Sequence, residues 1–150
     1  MKLPTVYLAG LISTTAPYSL SWRQEAEASL VDVATVLSPV RGKGNLFTES
    51  TDGGVTSNVL TSSDVILRDY QDIRKSDVIL VHLELFGSDR PMMGTLFELA
   101  WAWEHRTPVV AIASPTNTLM RTHPFIVQAV SHYCADLDSA LDILLMHYLR

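Results

Sequence analysis

The stretch Gly94-Thr95-Leu96-Phe97-Glu98-Leu99-Ala100-Trp101 places a lone carboxylate, Glu98, among apolar residues where the pattern predicts the start of a helix. Burying a carboxylate costs several kcal/mol in effective terms unless it is paired or hydrogen-bonded, so such a residue usually has a use. One use is chemical, as a nucleophile or proton carrier. The other is structural, as a first-turn acid favoured by the helix macrodipole. Taken alone, Glu98 fits both.

The elements that must position Glu98 follow from apolar runs and breakers. Residues 3–9 form a short apolar run ended by Gly10, the polar stretch 13–17 follows, and 22–35 has helical spacing. Residues 36–38 read as a second strand stopped by Pro39. The segment 40–63, rich in Gly, Ser and Thr, reads as a long functional or disordered loop. Ser63-Asp64 is a candidate cap for a helix running to Lys75, and 78–83 is apolar enough for a strand covered on both faces. A loop over 84–93 leads into a helix from Gly94 to about His105. A buried strand over 108–113, a short helix over 124–130 and an amphipathic helix from 136 to 149 complete the chain. This alternation predicts an α/β fold, flavodoxin-like or Rossmann-like in three layers, with a parallel sheet of about five strands and helices on both faces. Ligands in such sheets bind beyond the carboxyl ends of the strands. The crevice residues are then 7–13, 38–42, 82–93 with Glu98, and 114–117.

Bulk properties narrow the partner. A chain of 150 residues with 47% hydrophobic residues suits one domain, 1–150, with a proper core. Its net charge of −5 disfavours a nucleic-acid partner and leaves a small molecule as the expected ligand. Cys134 is the only cysteine, which excludes an intramolecular disulfide and a four-cysteine zinc site. His82, His105, His132 and His147 lack metal-ligand spacing, so neither a metal nor another cofactor is expected. No secretory signal or membrane span is read from the sequence, and the expectation is a cytoplasmic protein.

Four segments, in order, carry a resemblance: Val6-Tyr7-Leu8-Ala9-Gly10; Arg68-Asp69-Tyr70-Gln71-Asp72-Ile73-Arg74-Lys75-Ser76-Asp77-Val78-Ile79-Leu80-Val81; Gly94-Thr95-Leu96-Phe97-Glu98-Leu99-Ala100; and Pro108-Val109-Val110. Over nearly the whole chain they resemble the nucleoside 2-deoxyribosyltransferase family, whose superfamily includes hydrolases of nucleoside 5′-monophosphates. The resemblance implies that Glu98 attacks the anomeric carbon of a 2′-deoxynucleoside and forms a covalent ester. Asp69 would exchange a proton with the base, and Tyr7 would hold Glu98 in place. A free purine or pyrimidine base then takes the sugar with retention, the double-displacement logic of a retaining glycosidase. Gly10 and Gly94 fall in these motifs as substrate-binding candidates. The family also implies a homo-oligomer in which a neighbouring subunit completes each pocket, with His123 at the aligned position and the region around Trp101, Trp103, Met120 and Phe125 as a candidate contact.

Two positions depart from the pattern. Six residues before the nucleophile the transferases carry an aspartate for the sugar 5′-hydroxyl and the hydrolases a serine for the 5′-phosphate; this chain has Met92. The hydrolases' Ser-x-Arg clamp after the first strand is replaced by Leu11-Ile12-Ser13. Arg41 is a candidate phosphate or base ligand, with Ser13 and His123 as other clamp parts, and Trp22 and Phe47 are candidates for base stacking. Each residue also has a plainer role. Asp69 could pair with Arg68 or Lys75, and Asp72 is its rival at the site; Tyr7 could be a core residue, and His123 a cap before Pro124. The expected function is thus deoxyribosyl transfer. Its alternatives are a nucleotide N-glycosidase and, behind that, a non-catalytic nucleotide sensor; an electron carrier lacks the Ser/Thr-rich loop it would need.

Overall fold

The computed structural model describes residues 1–40, 47–49, 55–57 and 60–150, with backbone alone for 47–49 and 55–57. Five parallel strands form the main sheet: β1 (Thr5–Gly10), β2 (Thr35–Leu37), β5 (Val78–His82), β6 (Val109–Ile112) and β7 (His132–Cys134), in the order β2-β1-β5-β6-β7. Two further strands, β3 (Phe47–Glu49) and β4 (Val55–Ser57), pair antiparallel as a separate ribbon. The helices are α1 (Tyr18–Leu30), α2 (Ser62–Lys75), α3 (Met93–Glu104), α4 (Thr118–Thr122), α5 (Pro124–Ala129) and α6 (Leu137–Ile143), the last continued by a π-helical turn over Leu144–Tyr148. Among the described residues, no helix is long and apolar enough to cross a membrane.

Strand alternation divides the core. Val6 and Leu8 of β1 face one side, with Trp22, Ala26 and Leu30 of α1 and Leu137, Ala140 and Leu141 of α6. Tyr7 and Ala9 face the other, with Ile73 of α2, Leu99 and Ala102 of α3, and Met120 and Ile126 of the two short helices. Each fully buried aliphatic side chain contributes about 1.5–3 kcal/mol, and the central strands β1 and β5 are buried at every position. The register Tyr7↔Ile79 and Gly10↔His82 levels the ends of β1 and β5. The chain leaves β1 toward β2 and later returns to β1's other side with β5. A topological switch point therefore lies between the ends of β1 and β5.

Several boundaries differ from the sequence reading for local reasons. Helix α1 ends at Leu30 instead of 35, because Thr35 already belongs to the sheet and its N–H donates to the Pro4 carbonyl at 2.8 Å. Helix α2 is capped by Thr61 and not by Ser63-Asp64: Thr61 Oγ1 accepts from the Asp64 N–H at 3.2 Å while Asp64 Oδ2 accepts from the Thr61 N–H at 2.9 Å. The segment 40–63 contains the β3–β4 ribbon and the start of α2. Strand β7 and helix α4 had no expectation; three residues beginning with a histidine carry too little periodicity to be read as a strand.

Gly10 closes β1 with φ +149°, and a Cβ added there would lie 2.9 Å from the His82 carbonyl oxygen. Gly94 lies in α3, and an added Cβ meets nothing within 4 Å. Gly10→Ala should therefore lower unfolding free energy by about 1–3 kcal/mol in a denaturant titration, whereas Gly94→Ala should be neutral or stabilise by up to about 1 kcal/mol. Equal midpoints for the two variants would contradict this account of the β1 end.

Candidate active site

Helix α3 buries Thr95, Glu98, Leu99 and Ala102, the i, i+3, i+4, i+7 stripe of a helix packed on a sheet. Glu98 thus occupies a core position on the helix's sixth residue. It is beyond the first turn, where the macrodipole would by itself explain an acid. At 7% exposure its carboxyl needs a partner, and Tyr7, fully buried on β1, supplies one by donating its phenolic hydrogen to Glu98 Oε2. Burial and the nearby charges of Glu98 and Asp69 hold the Tyr7 pKa well above 10, so the phenol keeps its proton and remains a donor.

Burial is the largest influence on Glu98 and pushes its pKa up to about 8. The Tyr7 hydrogen bond and the Arg23 charge oppose that rise, and the Asp69 charge adds to it. Asp69, partly buried on α2, is therefore coupled electrostatically to both Glu98 and Tyr7. The two carboxyls line one cavity of about 270 Å³ together with Gly10, Leu11, Ile12, Pro39 and the segment from Arg90 to Thr95. This cavity lies at the switch point.

Two arginines hold its wall: Arg90, one of the crevice residues 82–93, and Arg23, which the sequence reading did not single out. Arg23 of α1 is 1% exposed; Nη2 donates to the Gly10 carbonyl at 2.9 Å and Nη1 to the Leu11 carbonyl at 3.2 Å and to the Ser19 carbonyl. Arg90 Nη1 donates to the next carbonyl, Ile12, at 2.9 Å. Three consecutive carbonyls, from the last residue of β1 to the second residue beyond it, are thus each held by a guanidinium. Burial lowers the Arg23 pKa to about 10, which leaves it cationic at neutral pH. On the far side of the cavity, Arg68 Nη2 donates to the Ser38 and Pro39 carbonyls at 3.2 and 3.4 Å and ties the end of β2 to α2. Arg23 had a readable signal: it shares the core face of α1 with Ser19, Trp22, Ala26 and Leu30, where a cation is out of place unless used.

The structure sorts the remaining candidates. Gly10, Met92 and Gly94 line the cavity. Asp72 does not; it is buried within α2, with Oδ2 3.8 Å from Arg68 Nε. Trp22 is not at the cavity either. It is fully buried on the α1 side of the sheet, its ring 5.4 Å from that of His82, and it cannot stack on a ligand there. Burial, with the Arg23 charge, lowers the His82 pKa to about 4, so this ring is neutral packing. Ser13 is occupied in the turn before α1, where its N–H donates to Ser19 Oγ at 2.9 Å. His123 caps α5, its Nδ1 accepting from the Phe125 N–H at 3.2 Å, and faces a different hollow from Glu98. Arg41 and the Phe47 side chain lie outside the described residues. That second hollow is an apolar groove of about 720 Å³ between α3, α4 and α5, lined by Leu96, Trp103, Leu119, Phe125 and neighbours. It is larger than the cavity, and none of its described lining residues is a carboxylate.

No protein-family model matches the chain. No curated protein matches it either. Solved structures do. A 2-deoxyribosyltransferase from Leishmania mexicana superposes with a TM-score of 0.68 at 15% identity, covering 97% of this chain and 99% of its own. A CMP N-glycosidase from Clostridium botulinum gives 0.61 at 14% identity over 95% and 99%. A conserved protein from Enterococcus faecalis V583 gives 0.53 at 19% identity over 99% of this chain and 78% of its own. The chain has the fold of these proteins, and it is the fold that the resemblance in sequence implied.

The raised Glu98 pKa has a consequence for stability. Between about pH 4.5, where an exposed glutamate titrates, and about pH 8, the folded protein retains a proton that the unfolded chain has lost. Folding stability contributed by this group is complete below pH 4.5 and falls as pH rises toward 8. Glu98→Gln removes that dependence. The variant's stability relative to the wild-type protein should increase steadily from pH 5 to pH 8 in denaturant titrations; a difference independent of pH would mean that Glu98 is not a buried titrating acid.

Proposed function

We propose that the chain is an N-deoxyribosyltransferase that takes the 2′-deoxyribosyl unit from a nucleoside-type donor to a second base through an ester on Glu98. The observation that carries this reading is the buried Tyr7–Glu98 hydrogen bond opening, with Asp69, onto one cavity at the switch point. Two structural neighbours, a 2-deoxyribosyltransferase and a CMP N-glycosidase, are named for activities that support the class of bond.

In the first half-reaction a Glu98 carboxylate oxygen bonds to the anomeric carbon as the bond from that carbon to the base nitrogen breaks. The bonding pair leaves with the base, which receives the Asp69 proton. In the second half an acceptor base loses its proton to Asp69 and attacks the same carbon, releasing Glu98. Two inversions give retention. Water in place of the acceptor base gives hydrolysis. Tyr7 holds the carboxylate on the line of attack and stabilises its charge, since a hydrogen bond to a charged group contributes about 1.5–3 kcal/mol.

Incubation with a 2′-deoxynucleotide or 2′-deoxynucleoside and a different free base should give the exchanged product with retained anomeric configuration. Withholding the acceptor should leave a sugar adduct on the peptide holding Glu98, detectable by mass. Glu98→Ala should abolish exchange and adduct, and Asp69→Asn should lower kcat by about 10²–10⁴-fold. Exchange surviving in Glu98→Ala would remove the nucleophile assignment, and free base without exchange would make the enzyme a hydrolase.

The apolar groove enters the same proposal as a contact with a second copy of the chain. Phe125 is 82% exposed and Trp103 48%, with Leu119 and Leu96 also open to water, and α3 carries both this face and Glu98. A face of this kind on a small protein marks an interface. A homo-oligomer places it out of solvent and brings partner residues toward the cavity. Wild-type protein should sediment as at least a dimer, and Phe125→Glu should shift it toward monomer; a monomeric wild-type protein would refute the contact.

A further inference from the structure

The loop between β5 and α3 carries the cavity wall from Arg90 onward, and it starts with a turn whose sequence does not suit its backbone. Phe86 and Gly87 both have positive φ, +53° and +82°, and the Ser88 N–H donates to the Leu85 carbonyl at 2.9 Å. That is the signature of a type I′ turn, in which Asn-Gly is favoured and a bulky side chain at the first central position is strained. Gly87 fits. Phe86 does not, so what its side chain touches must hold it in the left-handed region. The centroid of its ring lies 4.6 Å from that of His82, at the end of β5, and 5.2 Å from that of Tyr18, the first residue of α1, both in edge-on contacts. Phe86 thereby packs against the core on the α1 side, while Leu85 before it packs against the core on the α3 side. The loop is pinned astride the end of the sheet.

We infer that Phe86 is a positioning residue: its ring, latched against Tyr18 and His82, holds the loop so that the cavity wall from Arg90 to Met92 keeps the shape that receives the sugar donor. The inference rests on the reading of the cavity as an N-deoxyribosyltransferase site and adds to it a residue outside the cavity lining. The connection is short. The turn sets the place of Ser88, whose Oγ accepts from the Arg90 N–H at 3.1 Å, and Arg90 Nη1 donates to the carbonyl of Ile12, which also lines the cavity. Pro91 and Met92 continue the wall, and α3, with Glu98, begins at Met93. Strained backbone persists only where its surroundings over-determine it, and the aromatic contacts supply that determination here. Two features argue against a role confined to the turn or to the core. Asparagine would serve the turn better than phenylalanine. Tyr18 is 40% exposed and Phe86 half-buried, so the contact lies at the surface, where it can open without unfolding the sheet.

The test removes the ring while favouring the turn. Phe86→Asn gives the turn its preferred Asn-Gly sequence without the ring, Tyr18→Ala removes the partner and leaves the turn untouched, and Tyr18→Phe keeps both rings. Three quantities are measured for each: donor KM and kcat of base release from whichever 2′-deoxynucleoside or 5′-monophosphate the wild-type protein uses, the unfolding midpoint, and hydrogen exchange of the Arg90 amide. Phe86→Asn and Tyr18→Ala should each raise the donor KM by about 3- to 10-fold, the scale of an aromatic pair, and speed Arg90 exchange by a similar factor. Their kcat should stay within about twofold of wild type, because Tyr7, Asp69 and Glu98 stand on β1, α2 and α3. The double variant Phe86→Asn/Tyr18→Ala should add little to either single one, since both open the same latch. Tyr18→Phe should match the wild-type protein. An unchanged donor KM or unchanged Arg90 exchange in both ring-removing variants overturns the inference, and so does a parallel fall of kcat, donor affinity and unfolding midpoint, which marks a structural role alone. Release of base from no donor by the wild-type protein would instead overturn the transferase reading and the role toward the donor with it; Arg90 exchange would then still decide whether the ring holds the loop.

Discussion

The hydrogen bond from Tyr7 to Glu98 is the contact on which the rest of the site depends. It joins residues 91 apart in sequence, one on the central strand and one on the helix that covers it. A carboxyl with so little access to water is tolerable only if its partner is fixed. The partner is fixed because Tyr7 sits opposite Ile79 in a parallel pair that is buried throughout, and because Leu99 and Ala102 seat α3 on that face. Sheet register, helix rotation and the phenol's height are therefore one constraint. A slip of one residue in β1 would send Tyr7 to the α1 face and leave Glu98 with no donor.

A second constraint acts on the loops. The turn after β1 must leave the sheet at once, and Gly10 permits this with a backbone that any side chain would crowd against His82. Arg23 and Arg90 then hold the carbonyls of Gly10, Leu11 and Ile12, Arg23 from α1 and Arg90 from the loop between β5 and α3. The buried Arg23 also places a positive charge where Glu98 and Tyr7 feel it. Loop geometry and site electrostatics are consequently supplied by the same side chain.

Much of this was legible in the sequence, and the limits are physical. The central strands and α3 could be read because long apolar runs and helical spacing survive in any context. Glu98 could be read because a lone acid in such a run is anomalous, and Asp69 and Tyr7 became candidates through the resemblance that runs through the four motifs. Asp69 and Asp72 could not be separated by spacing: three residues apart on one helix they share much of a face, and only the rotation of α2 against the sheet puts Asp69 on the cavity and Asp72 beneath the helix. Trp22 was misplaced for a related reason, since an aromatic near a strand end serves a pocket or the core according to which face of the sheet its helix covers. Arg90 was placed only within the crevice segment 82–93, with nothing to single it out from its neighbours. Its importance comes from a carbonyl contact across the fold, which no periodicity encodes.

On the proposed mechanism, the arrangement of charges also decides where a proton resides. Glu98 and Asp69 face the same cavity, and the negative charge of Asp69 raises the Glu98 pKa. A proton on Glu98 leaves no nucleophile, whereas a proton on Asp69 gives an ionised nucleophile and a loaded acid together. Burial alone favours the first arrangement, as the Glu98 pKa of about 8 expresses. Tyr7 and Arg23 both favour the second, because each stabilises negative charge on Glu98. The departing base does the same from the other side, by presenting a nitrogen to the more exposed of the two carboxyls. The buried tyrosine and arginine thus have a shared task beyond packing: they bring the unreactive arrangement close enough in energy to the reactive one for a bound donor to tip the balance.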